Sequence, residues 1–219
     1  FAQVMKQIAH IWPHADIVLT GGEPTLHPRF NDFLALSLSS VKGEIIINSN
    51  GTTNYYISNI KNLQESRIHV QFSLDGSTKA HDKIRGNGVF AKAKKNMDLL
   101  RNSSIKLWVS TVVTPSNILS IDELRNILVQ YEVEKWHVNP ILPFGCGNHQ
   151  ETLSVLEWNS FVDHLIETTP LRLGIKKLYD FSPLEKLSKE DIIKIKNTII
   201  RYHLRNCGAG NNKMYIHPD

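Results

Sequence analysis

The chain holds 219 residues, of which 41% are hydrophobic and 21% charged, an ordinary globular makeup with enough length to bury a core. Lysine plus arginine stands at 25 against 21 for aspartate plus glutamate, and the net charge of +4 is too small and scattered to argue for an anionic partner. No apolar run reaches the roughly 20 residues of a membrane span, and two cysteines exclude a disulfide scaffold.

The first residue is Phe1 and the chain already reads as helix there, while Met214 to Asp219 break off just after a strand-like run. We therefore expect a piece cut from a longer polypeptide at both ends. Phe1, Val4, Met5, Ile8, Ile11 and Trp12 recur at helical spacing. Ile17-Val18-Leu19 is a short continuous apolar run, the mark of a strand buried on both faces. Gly21-Gly22 ends it, and Pro28 is placed to open a second helix with Phe30, Phe33, Leu34, Leu38 and Val41 inward. Ile45-Ile46-Ile47 is the next buried strand, and Tyr56, Ile57, Ile60 and Leu63 return to helical spacing. Val70, Phe72 and Leu74 belong to a third strand that stops at Asp75-Gly76.

Phe90, Ala93, Met97 and Leu100 share a helix face, and Ile105 to Val113 is a β-branched run ended by Thr114-Pro115. Ser120 to Glu123 and Ser154 to Glu157 both read as capping boxes. Between them Trp136 to Asn139 forms a fifth strand. Short buried strands alternating with amphipathic helices specify a parallel α/β sheet with helices outside. After about Glu167 the pattern changes, and Lys189 to Leu204 reads as an exposed basic helix. We expect a core over 1–167 and a second region over 168–219.

In such sheets ligands bind beyond the carboxyl ends of the strands. The informative residues sit there on successive strands: Thr20 to Pro24, Asn48 to Gly51, Ser73 to Gly76, and Pro140 to Gly145. A glycine pair lets backbone carbonyls approach a ligand closely, and Glu23 adds a carboxylate beside them. Acceptors of this kind suit an ammonium group. A phosphate loop offers N–H donors instead, and neither GxGxxG nor GxxxxGK[ST] occurs. Ser73, Asp75 and the asparagines, Asn48 among them, suit ribose hydroxyls, and Arg85 suits a carboxylate held by two hydrogen bonds. Asp75-Gly76 is equally a turn signal, so Asp75 as a turn cap stands open beside Asp75 as a ligand contact. Ammonium, carboxylate and ribose together describe an aminoacyl nucleoside.

Leu19 to Pro24 resembles the GGEP motif of radical S-adenosylmethionine (SAM) enzymes. Phe72 to Gly76, followed by His81-Asp82, Arg85 and Gly88-Val89-Phe90, resembles the group carrying a SPASM extension, which includes anaerobic sulfatase maturases and peptide maturases. Asn206 to Gly210 and Met214 to Asp219 are similar to the first segment of that extension. The resemblance covers nearly the whole chain. It implies a partial (β/α)6 TIM-like barrel whose first strand lies before Phe1. It implies that Gly21, Gly22 and Glu23 of the motif ending at Pro24 hold the SAM amino group. Ser73 would meet the ribose or carboxylate, Arg85 the carboxylate, and Leu142 the adenine; Asn48 and Asp75 complete the expected cofactor-binding set. Cys207 would be the first ligand of an auxiliary [4Fe-4S] cluster. The implied activity is reductive cleavage of SAM to a 5′-deoxyadenosyl radical that abstracts hydrogen from a peptide or protein substrate, with flavodoxin or ferredoxin as reductant. The implied location is the cytoplasm.

The family binds its radical-generating [4Fe-4S] cluster through CxxxCxxC, and this sequence has only Cys146 and Cys207. As given, it is expected to shape a SAM pocket without making the radical. A non-catalytic SAM- or peptide-binding relic of the same fold is the alternative. An α/β hydrolase is a weaker third reading, since no G-x-S-x-G appears. Cys146 is read as non-catalytic, and most of the ten histidines read as surface or packing residues, with His81 singled out among them. The basic helix lacks interleaved aromatics, so it reads as a solvated face and no nucleic acid is expected.

Overall fold

The computed structural model describes residues 1–61, 65–101, 103–142 and 151–178. The expectations for residues 143–145, Cys146, the basic helix, Cys207 and the segments around it lie outside those residues. The chain divides into two units, Phe1–Ile175 and Lys176–Asp219, and the architecture below is that of the first.

Helices and strands alternate in the order α1 (Ala2–Ile11), β1 (Ile17–Leu19), α2 (Phe30–Ser40), β2 (Ile45–Ser49), α3 (Asn54–Lys61), β3 (Ile68–Ser73), α4 (Thr78–Arg85), α5 (Val89–Leu100), β4 (Lys106–Val113), α6 (Ile121–Gln130), β5 (Lys135–Pro140), α7 (Val155–Thr168) and β6 (Leu173–Gly174). All pairings are parallel and the six strands lie side by side in sequence order. Right-handed crossovers between neighbouring strands taken in sequence order put every helix on the same face. That is the logic of a barrel wall, whereas a doubly wound sheet reverses its strand order to cover both faces.

The two faces of the sheet differ accordingly. Ile45, Ile47, Val70, Phe72, Val109 and Trp136 on one face are wholly buried, and there α2 packs on β2 and α5 on β4. The register sets polar side chains in rows on the other face. Asn48 lies beside Gln71, Gln71 beside Trp108, and Trp108 beside Lys135. One row higher Ser73, Ser110 and His137 are neighbours.

Three local expectations are corrected. β1 is an edge strand, so Val18 is 51% exposed instead of buried. Helix α2 begins at Phe30 rather than at Pro28, because Pro24–Leu26 forms a separate 3-10 turn first. Ser120 makes no capping box: it ends a 3-10 turn, Ile118–Ser120, and its hydroxyl donates to the Asn117 carbonyl at 2.7 Å.

The Ser154 box does form. Its hydroxyl accepts from the Glu157 N–H at 3.2 Å while the Glu157 carboxylate accepts from the Ser154 N–H at 2.8 Å. Ser154→Ala is expected to cost about 1 kcal/mol by urea denaturation; an unchanged midpoint would refute a stabilising role for the box.

Candidate functional site

The rim begins where β1 ends. Gly21 has φ +153°, and no atom lies within 4 Å of where a Cβ would sit on Gly21 or on Gly22. The pair is exposed, so its backbone is open to a ligand along its whole length. Pro24 follows at the first position of the 3-10 turn, where its missing N–H leaves no gap.

Glu23 ties this loop to the next strand. One carboxylate oxygen accepts from the Thr25 hydroxyl at 2.6 Å and the Thr25 N–H at 3.3 Å. The other accepts from the Asn50 N–H at 2.7 Å. Asn50 turns its own side-chain carbonyl onto Thr52 N–H at 2.8 Å and Thr52 hydroxyl at 2.7 Å. At Gly51, φ is +75° and a Cβ would stand 3.1 Å from the Phe72 ring, so only glycine fits. Buried Asn96 reaches across from α5 and donates to the Gly51 carbonyl at 2.6 Å.

Beyond β3 the chain builds a latch. Asp75 is 3% exposed. One of its carboxylate oxygens accepts from the Val112 N–H at 2.9 Å, and the other from Arg85 Nε at 2.6 Å. Its N–H donates to His81 Nδ1 at 3.1 Å, and its carbonyl accepts from Asn117 Nδ2 at 2.9 Å. Asp82 caps α5 from the preceding helix, accepting from Gly88 N–H at 2.7 Å and Phe90 N–H at 2.8 Å. The Phe90 N–H is the main reason the Asp82 carboxyl sits below its ordinary range. His81 and Arg85 thus hold Asp75, and Asp82 holds the start of α5. Arg85 spends Nε on Asp75 and leaves its side chain 31% exposed. Its two terminal nitrogens have no partner among the described residues.

Arg85 and Asn50 line one open hollow of about 340 Å³, with Thr52, Val89 and Lys92. Glu23 joins it through its bond to Asn50. Ser73 lies two residues before Asp75 and faces Ser110 in half-buried surroundings. Two hydrogen-bonded pairs, Glu23–Asn50 and Asp75–Arg85, thus meet at the hollow through Asn50 and Arg85. Of the expected cofactor-binding set only Arg85 lines that hollow; Asn48 lies on the polar sheet face and accepts from Gln71 Nε2 at 3.0 Å. Leu142 is 50% exposed just past β5, and Cys207 falls outside the described residues. A second hollow of about 350 Å³ touches Pro13, Val41, Lys42 and Arg67. It lies at the other end of the strands, where Arg67 is already spent on the Leu38 and Val41 carbonyls and on Glu65.

Asn96, Thr111 and Asn117 were not picked out by sequence reading. All are buried polar residues that hold rim loops. Thr111 donates to the Leu74 carbonyl at 2.6 Å and accepts from Trp136 Nε1 at 2.8 Å. The available signal was polarity on an apolar face, as for Asn96 between Ala93 and Met97.

Residues 1–128 match the radical SAM superfamily. The chain belongs to the radical SAM superfamily. It is 25% identical over 154 residues to the AdoMet-dependent heme synthase of Nitratidesulfovibrio vulgaris, covering 67% of this chain and 41% of that protein. It is 30% identical over 118 residues to the sporulation killing factor maturation protein SkfB of Bacillus subtilis, covering 53% and 28%. The chain therefore spans less than half the length of either relative. Among solved structures it resembles anSMEcpe with bound AdoMet and the Kp18Cys peptide, at TM-score 0.63 and 17% identity over 78% of this chain and 53% of that one. It also resembles Streptococcus suis SuiB bound to S-adenosylmethionine, at TM-score 0.62 and 15% identity over 87% and 47%. Those likenesses bear out the fold: a parallel α/β sheet of the radical SAM barrel type.

Iron–sulfur clusters of the superfamily's kind are held by several cysteine thiolates. The sequence has two cysteines, and among the described residues no group of three His, Cys, Asp or Glu side chains gathers to hold a metal. The residues present do not fit that cluster. The glycine pair leaves its backbone open, with no atom within 4 Å of either Cβ position. Among the described residues no helix is long and apolar enough to cross a membrane.

Proposed function

We propose that the rim from Gly21 to Arg85 binds SAM, and that the chain is the cofactor-binding part of a radical SAM enzyme that modifies a peptide or protein. The observation that supports this reading is the hollow that Arg85 and Asn50 line together, with Glu23 bound to the Asn50 N–H. SAM, when bound with a reducing cluster, supplies a 5′-deoxyadenosyl radical; this chain's own residues bind and orient it.

The carbonyls of Gly21 and Gly22 receive the ammonium group, with Glu23 as the negative charge behind them. Glu23 has both oxygens engaged by protein donors, so it acts chiefly by fixing the loop and by its field. Arg85 grips the carboxylate through its two terminal nitrogens, the end left open once Nε is bound to Asp75. Asp75 is the strut of that grip, because its own oxygens are fully used. Ser73 is assigned to the ribose or carboxylate and Leu142 to the adenine, while Asn48 is engaged with Gln71 on the polar sheet face. Residues 1–167 form the core in this reading, and 168–219, beyond its contribution of β6, the linker helix and the start of a SPASM region with Cys207 as a cluster ligand.

SkfB is named as a maturation protein, and one SuiB structure holds a precursor peptide; both names favour a peptide substrate. Flavodoxin or ferredoxin is the proposed reductant, and the cytoplasm the proposed location. The content of two cysteines favours a second reading, a SAM- or peptide-binding module of this fold without its own cluster. Anaerobic reconstitution with iron and sulfide of a form extended upstream of Phe1 separates the two: cluster absorbance supports the enzyme, and SAM binding without it supports the module.

The direct test is calorimetric titration of the chain with SAM. Saturable binding is expected, weakened roughly 10- to 100-fold by Arg85→Ala, the range of a charge-assisted hydrogen-bond pair. No binding by the parent chain would sink the proposal.

A further inference from the structure

We propose that His81 is a positioning residue for the SAM carboxylate: its Nδ1 accepts the Asp75 N–H and so sets the strut that aims Arg85. This rests on the SAM reading above and adds a residue that touches no ligand. His81 lies on the inner face of α4 and is wholly buried. Its Nδ1 accepts from the Asp75 N–H at 3.1 Å. The proton of the neutral ring is therefore on Nε2, which is buried with no hydrogen-bond partner among the described residues. The ring meets Phe90 of α5 edge to face, with centroids 5.5 Å apart.

A buried donor left without a partner is costly. Here the arrangement keeps Nδ1 as an acceptor while Nε2 stays buried without a hydrogen-bond partner among the described residues. The charged groups around the ring are Asp75 from the loop after β3, and Asp82 and Arg85 from its own helix; α5 presents the apolar Phe90. Burial outweighs the two carboxylates, and with Arg85 it holds the imidazole below its ordinary range. At neutral pH the ring is thus an acceptor. Protonation would place a second N–H opposite the Asp75 N–H, two donors facing each other. The Asp75 backbone would have to move, and with it the oxygen that holds Arg85 Nε.

Sequence alone singles out His81 among the histidines but gives it no role, since it shows neither burial nor a hydrogen-bond partner. Burial and the direction of one hydrogen bond decide it.

The test is SAM titration of three forms of the chain from roughly pH 5 to 8, the window in which a histidine changes charge. The parent is expected to bind constantly near neutrality and to lose affinity on acidification, below the ordinary histidine range. His81→Asn keeps an acceptor in the Nδ1 position and cannot titrate. It is expected to stay within about twofold of the parent at neutral pH and to lose the acid limb, the rescue a residue of this kind allows. His81→Leu removes the acceptor and is expected to weaken SAM about tenfold at every pH. An acid limb that persists in His81→Asn, or parental affinity in His81→Leu, overturns the proposal. Should His81→Leu fail to fold, the comparison of parent with His81→Asn decides alone. A parent that binds no SAM overturns the functional reading and this proposal with it; binding indifferent to His81 overturns only this one.

Discussion

Asp75→Ala is expected to lower stability by about 1–2 kcal/mol and to weaken SAM binding at least tenfold. The first effect comes from the Val112 N–H, which loses its acceptor at the part-buried sheet rim; a donor left without a partner costs about 1–3 kcal/mol when fully buried and less where water can reach it. Arg85 adds little to that figure, because a side chain 31% exposed can turn back to water once released. The second effect comes from that same release, since an arginine free to turn no longer presents its terminal nitrogens in one place. Asp75→Asn separates the two. Its side-chain carbonyl still accepts from Val112, so urea denaturation should find it within about 1 kcal/mol of the parent, while SAM affinity still falls several-fold. Equal SAM affinity in Asp75→Asn and the parent would show that Arg85 needs no strut.

Gly22→Val should behave in the opposite way. Nothing lies within 4 Å of a Cβ at this position, and its φ lies outside the positive range that favours glycine. An exposed substitution of that kind shifts stability by no more than about 0.5 kcal/mol. The added side chain occupies the space through which the ammonium group must approach, so SAM binding is expected to fall by at least about tenfold. Thermal denaturation and calorimetry on the same preparation check both halves. A variant that binds SAM like the parent would remove the glycine pair from the site.

The alternation of helices and strands was legible because each buried face leaves its own period in the chain. Ile57 and Ile60 on α3, and Phe90, Ala93, Met97 and Leu100 on α5, are buried as their spacing requires. What escaped was what sequence spacing does not encode. β6 has two residues, Leu173 and Gly174, too few to show any period. α4 carries a surface composition, and its one wholly buried side chain is His81. Ser120 satisfies the pattern of a capping box, yet the 3-10 turn before it leaves its hydroxyl on the Asn117 carbonyl. Val18 has the composition of a buried strand, and only the sheet order makes it an edge.

The candidate site was legible as a row of polar clusters at strand ends, since a parallel sheet places those ends on one rim. Two features were not. One was the division of labour between Asp75 and Arg85, which depends on the Val112 N–H some 37 positions away in the chain. The other was the polar sheet face, where Asn48, Gln71, Trp108 and His137 come together only through strand register.

The tether on Arg85 Nε has an entropic consequence. A free arginine side chain carries about 2 kcal/mol of rotamer freedom, which a ligand must freeze on arrival. Here much of that freezing happens when the chain folds, because one nitrogen is fixed by a carboxylate that is itself fixed at its other oxygen. Any anion that docks on the remaining two nitrogens meets a receptor already shaped for it, and its departure leaves that shape standing for the next one.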